Sequence, residues 1–206
     1  MGEQLTRSCW NLSRLDRFSP ADAKEDDPMR TTTAIVACFF LASPALAQSV
    51  SVGEKTGVNS MLGITPATAD FVKEAASSDM FEIQSSQLAE QKSQDQQTKT
   101  FAAQMITDHT KTTSELKPLA QAAKVEIPSG MLPAHQKMLD KLNGLNGDDF
   151  TKQYHDDQVS AHKDAVSLFQ RYGKGGDNDQ IKNWASKTVP ALEHHLQMAQ
   201  DLDKKK

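Results

Sequence analysis

Between Phe101 and Ala120 the apolar residues follow a helical count. Steps of three and four from Ala102 reach Met105, His109, Thr112, Leu116 and Leu119. That is the spacing of a buried helical seam. One slot holds a histidine where a leucine would serve. A second stretch repeats the pattern: Ile181, Ala185, Thr188, Leu192, His195, Ala199 and Leu202. His195 is in register with that core, and His194 lies about 100° away, towards the flank. A third stretch carries Val159, His162, Val166 and Phe169 in one row. Phe150, Tyr154, Ala161, Ala165 and Leu168 form the row beside it. A fourth is weaker: Phe71, Ala75, Ser78, Glu82 and Ala89 lie within about 40° of one direction. No stretch alternates with period two for long enough to make a strand.

These patterns predict four long helices. The first starts at Thr65-Pro66, a cap followed by proline at the first helical position, and runs to about Lys92. The second starts at Ser93, with Gln96 three residues on as a capping box, and runs to about Lys124. The third spans about Asp148 to Gly173 and stops before Lys174-Gly175-Gly176. The fourth starts at Asp177 and runs to about Leu202. Pro118 and Pro190 fall inside helices, and each removes one backbone hydrogen bond. The expected result is a kink, with a full break at Pro118 as the other outcome.

Short loops join the first helix to the second and the third to the fourth, so each pair should be antiparallel. The connection between the second and third long helices, residues 125–147, holds "PAHQKMLDKLNGL", which reads as a short amphipathic helix. That connection can cap one end of the bundle or run its length. Only the second course gives the ferritin type of topology. The expected fold is all-α: a four-helix up-down bundle over residues 66–202, with a short extra helix in the long connection.

The N-terminal part reads differently. "MRTTTAIVACFFLASPALAQS" has a basic start, a short apolar run and Ala45-Leu46-Ala47 before Gln48. This is the pattern of a secretory signal over residues 29–47, cleaved after Ala47. The apolar run is too short for a bilayer, which needs about 20 residues. Residues 1–28 have no period, and the simplest expectation is that translation starts at Met29. Residues 48–64 are polar, carry Gly53, Gly57 and Gly63, and read as a flexible leader. Cleavage would remove both cysteines, Cys9 and Cys38, and with them disulfide and thiolate chemistry. The expected location is the periplasm, with no transmembrane segment in the mature chain and an envelope protein as a candidate partner. A formal charge of −4 does not suggest a nucleic-acid surface.

Glu82, His109, His162 and His195 each sit near the middle of their helix. Mid-helix residues share a level whichever way the helices run. One carboxylate and three imidazoles at one level make a candidate site for a first-row transition metal: zinc, copper, nickel or iron. Asp108 would then fix the tautomer of one ring. The competing reading is a hydrogen-bonded polar network that only sets helix register. A third is an enzyme acting through a metal-bound water. His135, His155 and His194 read as surface residues. Met105 and Met198 read as core. No Glu-x-x-His, no Gly-rich loop after a strand and no Ser/His/Asp arrangement occurs, so the expectation is a non-enzymatic protein.

The chain also resembles a family. Glu82 with Leu88-Ala89, Phe101-Ala102, Met105, Asp108-His109, Phe150 with Tyr154, His162, and Pro190 with His195 are landmarks in the order seen in domain-of-unknown-function family 4142. The resemblance covers roughly residues 66–202. It implies an exported bacterial protein with a ferritin-like helical fold, and it brings no established activity, substrate or cofactor. Ferritin chemistry does not follow, because di-iron bundles carry Glu-x-x-His on two helices.

Overall fold

The structure is a computed structural model that describes residues 62–204. Residues 1–28, the expected signal segment 29–47 and most of the expected leader 48–64 lie outside the described residues. Among the described residues five helices follow one another: α1 (Thr68–Lys92), α2 (Gln96–Ala122), α3 (Pro133–Asn143), α4 (Gly147–Gly175) and α5 (Asp179–Asp203). Among the described residues there is no strand.

The four long helices start and stop where local chemistry tells them to, with small corrections. Asp95, not Ser93, caps α2: its carboxylate accepts from the Gln97 and Thr98 amides. Ser93 instead closes α1, donating its amide to the Ala89 carbonyl. Asn178, not Asp177, caps α5 by accepting from the Ile181 amide. Thr65 does not cap α1. Its hydroxyl donates to the Arg171 carbonyl on α4, so a tertiary contact has taken the capping residue. Both α2 and α5 continue through Pro118 and Pro190.

Contacts at the helix ends give the topology. Lys92, at the end of α1, donates to the carbonyls of Leu142, Asn143 and Leu145, just before α4. Thr68, at the start of α1, bonds Tyr172 at the end of α4. Helices α1 and α4 are therefore antiparallel. Thr98 and His155, both near N-termini, are bonded, so α2 and α4 run in parallel. Trp184 near the start of α5 donates to Glu115 near the end of α2. The α2–α4 connection thus runs the length of the bundle, the ferritin type of crossover. Helix α3 packs along α1, pinned where the Leu132 amide donates to Ser77 Oγ at 2.7 Å.

That crossover explains the weak stripe of α1. The helix meets α2, α3 and α4, so it is covered on several sides and buries Ser77, Ser78, Ser85 and Ser86 as well as Phe71 and Phe81. Small side chains let three neighbours approach, and their hydroxyls find partners: Ser86 pairs with the Tyr154 hydroxyl at 2.8 Å.

The apolar core is split in two. One cluster holds Phe71, Leu116, Phe169, Tyr172, Ile181 and Leu192. The other holds Phe81, Phe101, Met105, Leu142, Phe150 and Tyr154. Along α2, His109 falls between Met105 of one and Leu116 of the other. Along α5, His195 falls between Leu192 and Ala199. A polar layer therefore crosses the bundle between two dry cores.

Candidate metal centre

The polar layer is built from four helices. Helix α1 supplies Asp79 and Glu82, α2 supplies Asp108 and His109, α4 supplies Gln158 and His162, and α5 supplies His195. The rings of His109, His162 and His195 form a near-equilateral triangle, with centroids 5.6, 5.6 and 5.5 Å apart. Each ring offers one nitrogen to a group whose atoms all lie within 4.8 Å of one another. All three histidines are buried.

Each ring is held by one nitrogen. His109 Nδ1 donates to Asp79 Oδ1 at 2.8 Å. The other Asp79 oxygen accepts from Thr112 at 2.9 Å and Thr113 at 3.0 Å. His162 Nδ1 donates to the Gln158 carbonyl, four residues back, at 2.9 Å. His195 Nε2 meets Asp108 Oδ2 at 2.9 Å. The remaining nitrogens, His109 Nε2, His162 Nε2 and His195 Nδ1, are buried without a hydrogen-bond partner. Both Glu82 oxygens are in the same condition. Glu82 stands at the edge of the triangle, its Oε1 3.7 Å from His162 Nδ1.

With Gln158 Oε1, six polar atoms of this one buried layer lack a hydrogen-bond partner, which is costly, since each forfeits its hydration. A satisfied network would pair these atoms with one another. Here the pairing runs outward to anchors, and the free atoms are left inside. This is how ligating imidazoles are normally held, with the second nitrogen fixing tautomer and ring orientation.

The electrostatics favour the ligating state at two of the three rings. Burial, with the His109 and His195 charges, holds His162 well below the usual histidine range. Burial, with the His109 charge, also lowers His195 against the pull of Asp108. Both are neutral imidazoles at pH 7, the form that ligates. Burial pulls His109 down too, but the Asp79 bond and the surrounding carboxylates outweigh it and raise it. Burial pushes Glu82 up to about 7, with His109 and Gln158 pulling the other way.

Of the four residues singled out from sequence, His109, His162 and His195 come together as one group of ligand atoms, and Glu82 lies in the same layer against His162 Nδ1 but outside that group. Asp108 anchors a ring, but that of His195 on α5, not the adjacent His109. Two of the residues expected at the surface are elsewhere. His155 is buried and bonded to Thr98 at 2.7 Å, because α2 and α4 run side by side at that end. His135 is half-buried, bonded to Ser77 at 2.7 Å and stacked on Phe81. His194 is exposed. Met105 is core, and Met198 packs at the core's edge. Asp79 and Gln158 were not among the expected residues. The signal for Asp79 was its position three residues before Glu82, on the same helical face.

Fold and site together define a helical bundle of two antiparallel pairs with a buried three-histidine cluster that can hold a metal ion. The chain belongs to DUF4142, a domain of unknown function, whose profile matches residues 53–202. No curated protein sequence matches the chain. Among solved structures, it is similar to CopM in its Cu(II)-bound form. The TM-score is 0.58 at 17% identity, covering 68% of this chain and 98% of that one. That likeness establishes shared architecture. Among the described residues no helix is long and apolar enough to cross a membrane.

Proposed function

We propose that this chain is an exported envelope protein that binds one transition-metal ion, copper(II) in preference, through His109, His162 and His195, with Glu82 as the fourth ligand. The observation that carries the reading is the set of three buried imidazoles on three helices, each anchored by one nitrogen and unpartnered at the other. Imidazole and carboxylate donors suit copper, zinc, nickel and iron, and copper(II) leads the affinity order for such sites. The layer contains no thiolate, so a soft copper(I) site is not favoured. The fold's likeness to a copper(II)-bound protein supports the choice among these metals.

Ligands about 2.0–2.1 Å from one ion lie about 2.8–3.0 Å apart in the tetragonal set copper(II) prefers, and about 3.3–3.5 Å apart in a tetrahedral one. The three nitrogens here lie within 4.8 Å, so small side-chain rotations close the set without moving a helix. The signal segment supports an envelope location, where the ion would be bound outside the cytoplasm. The role is binding, not turnover. The polar-network reading is disfavoured by the orphaned atoms, because register could be set with every group paired.

The test is titration of the exported, untagged protein with copper(II), zinc and nickel, read by native mass spectrometry. One tightly held ion, copper(II) retained over zinc in competition, is expected. His162→Ala should abolish retention while circular dichroism stays helical. Failure to retain any ion would overturn the proposal.

A further inference from the structure

The candidate site is walled unevenly. On the α1 side, Asp79 and Glu82 are backed by a second layer, the crossover pinned at Ser77 and Leu132. Asp79 Oδ2 is already taken by two threonine hydroxyls. On the α4 side Asp157 and Gln158 are buried. The side chains of His162 and Glu82 are each 1% exposed. Among the described residues, Asp108 is the one carboxylate bonded to a ring that reaches solvent to any extent; Thr112 and Thr113 are partly exposed too, but they carry no charge and donate to Asp79. Asp108, in the seam between α2 and α5, has a side chain 32% exposed and is bonded to His195, which is 5% exposed.

Three features of that seam suit passage of a cation. Asp108 accepts both its hydrogen bonds on Oδ2, from Gln104 at 2.6 Å and from His195 at 2.9 Å. A carboxylate with one oxygen so occupied keeps lone pairs on the other for an incoming ion. His195 has its anchored nitrogen on the solvent-side carboxylate and its unpartnered Nδ1 buried. The ring therefore spans the wall. Finally, Pro190 lies five residues before His195 within α5. It deprives the Ser186 carbonyl of its helical hydrogen bond, which makes local bending of α5 less costly.

Resting on the metal-binding reading above, we infer that Asp108 and His195 form the entry port of the site: Asp108 captures the cation at the surface, and His195 turns to pass it to His109 and His162. No covalent chemistry is involved, only exchange of ligands. Asp108 then acts on the rate of metal exchange as well as on the orientation of one ring.

The test is stopped-flow uptake and release of copper(II), read with a competing chromophoric chelator, on the exported protein. Asp108→Asn keeps a hydrogen-bond acceptor for His195 but removes the charge. Association should slow by about tenfold, on top of whatever affinity the missing ring support costs. Asp140→Asn, an exposed carboxylate on α3, should change neither rate. Unchanged rates in Asp108→Asn would overturn the port while leaving the site intact. So would faster dissociation with unchanged association, which marks an anchor and nothing more. A wild-type protein that takes up no copper overturns both the port and the site.

Discussion

The carboxylate of Asp79 on α1 holds the ring of His109 on α2 at 2.8 Å, and two threonines of α2 hold the carboxylate in turn. This fixes which nitrogen of His109 carries the proton and leaves Nε2 free to ligate. Removing such a support typically costs 10–100-fold in metal affinity. Asp79→Asn should weaken copper(II) binding by roughly that factor, measured by competition with a chelator of known affinity. Thr112→Val, which removes one of three bonds to the carboxylate, should cost less. Equal affinity in Asp79→Asn would show that the pair serves only to join two helices.

Glu82 gives a pH signature in the metal-free protein. Its folded value, about 7, lies above its ordinary 4.5, so the fold prefers the protonated acid. The preference contributes fully below pH 4.5 and is lost as pH rises through 7. Glu82→Gln, neutral at every pH, escapes that loss. Relative to wild type it should gain stability between pH 4.5 and 8, by up to about 3 kcal/mol. Urea unfolding in the presence of a chelator measures this. Adding copper(II) should reverse the order, because the glutamine is the poorer ligand.

His135 gives the opposite slope. Burial lowers it from 6.5 to about 4, so the fold prefers the neutral ring. That contribution is present above pH 6.5 and disappears as pH falls towards 4. The ring bonds Ser77, which also holds the Leu132 amide, so the crossover should loosen first. Hydrogen exchange at α3 should accelerate between pH 6.5 and 4 more than exchange in α4. His135→Phe should flatten that difference, since the position already stacks on Phe81.

Tyr154 and Ser86 join α4 to α1 through a fully buried hydroxyl pair. Tyr154→Phe strands the serine hydroxyl and should cost about 1–3 kcal/mol. Copper(II) stoichiometry should stay the same, because neither side chain belongs to the polar layer. Thermal unfolding and metal content of the same sample check both halves.

The fold was largely legible because seams spaced by three and four residues can be counted without knowing what they pack against. His109, His162 and His195 stood out for the same reason, as polar letters in apolar slots. Of their partners, Asp108 was legible but not which ring it holds, and Asp79 was not legible. Asp108 neighbours His109 in sequence, but adjacent helical residues point about 100° apart, so its carboxylate meets α5. His155 was misread because its cover comes from Thr98 on a parallel neighbour, and that depends on which way the long connection runs. The serines of α1 looked like a poor stripe because a helix covered by α2, α3 and α4 has no single buried face. Each miss concerns pairing between helices, which no single helix encodes.

The most direct measurement is the metal content of the untagged protein after equilibration with copper(II) and gel filtration, determined by inductively coupled plasma mass spectrometry. The account predicts about one copper per chain, lost in a His109→Ala/His162→Ala/His195→Ala variant that remains helical. Substoichiometric copper in the wild type, or equal copper in the triple variant, would contradict it.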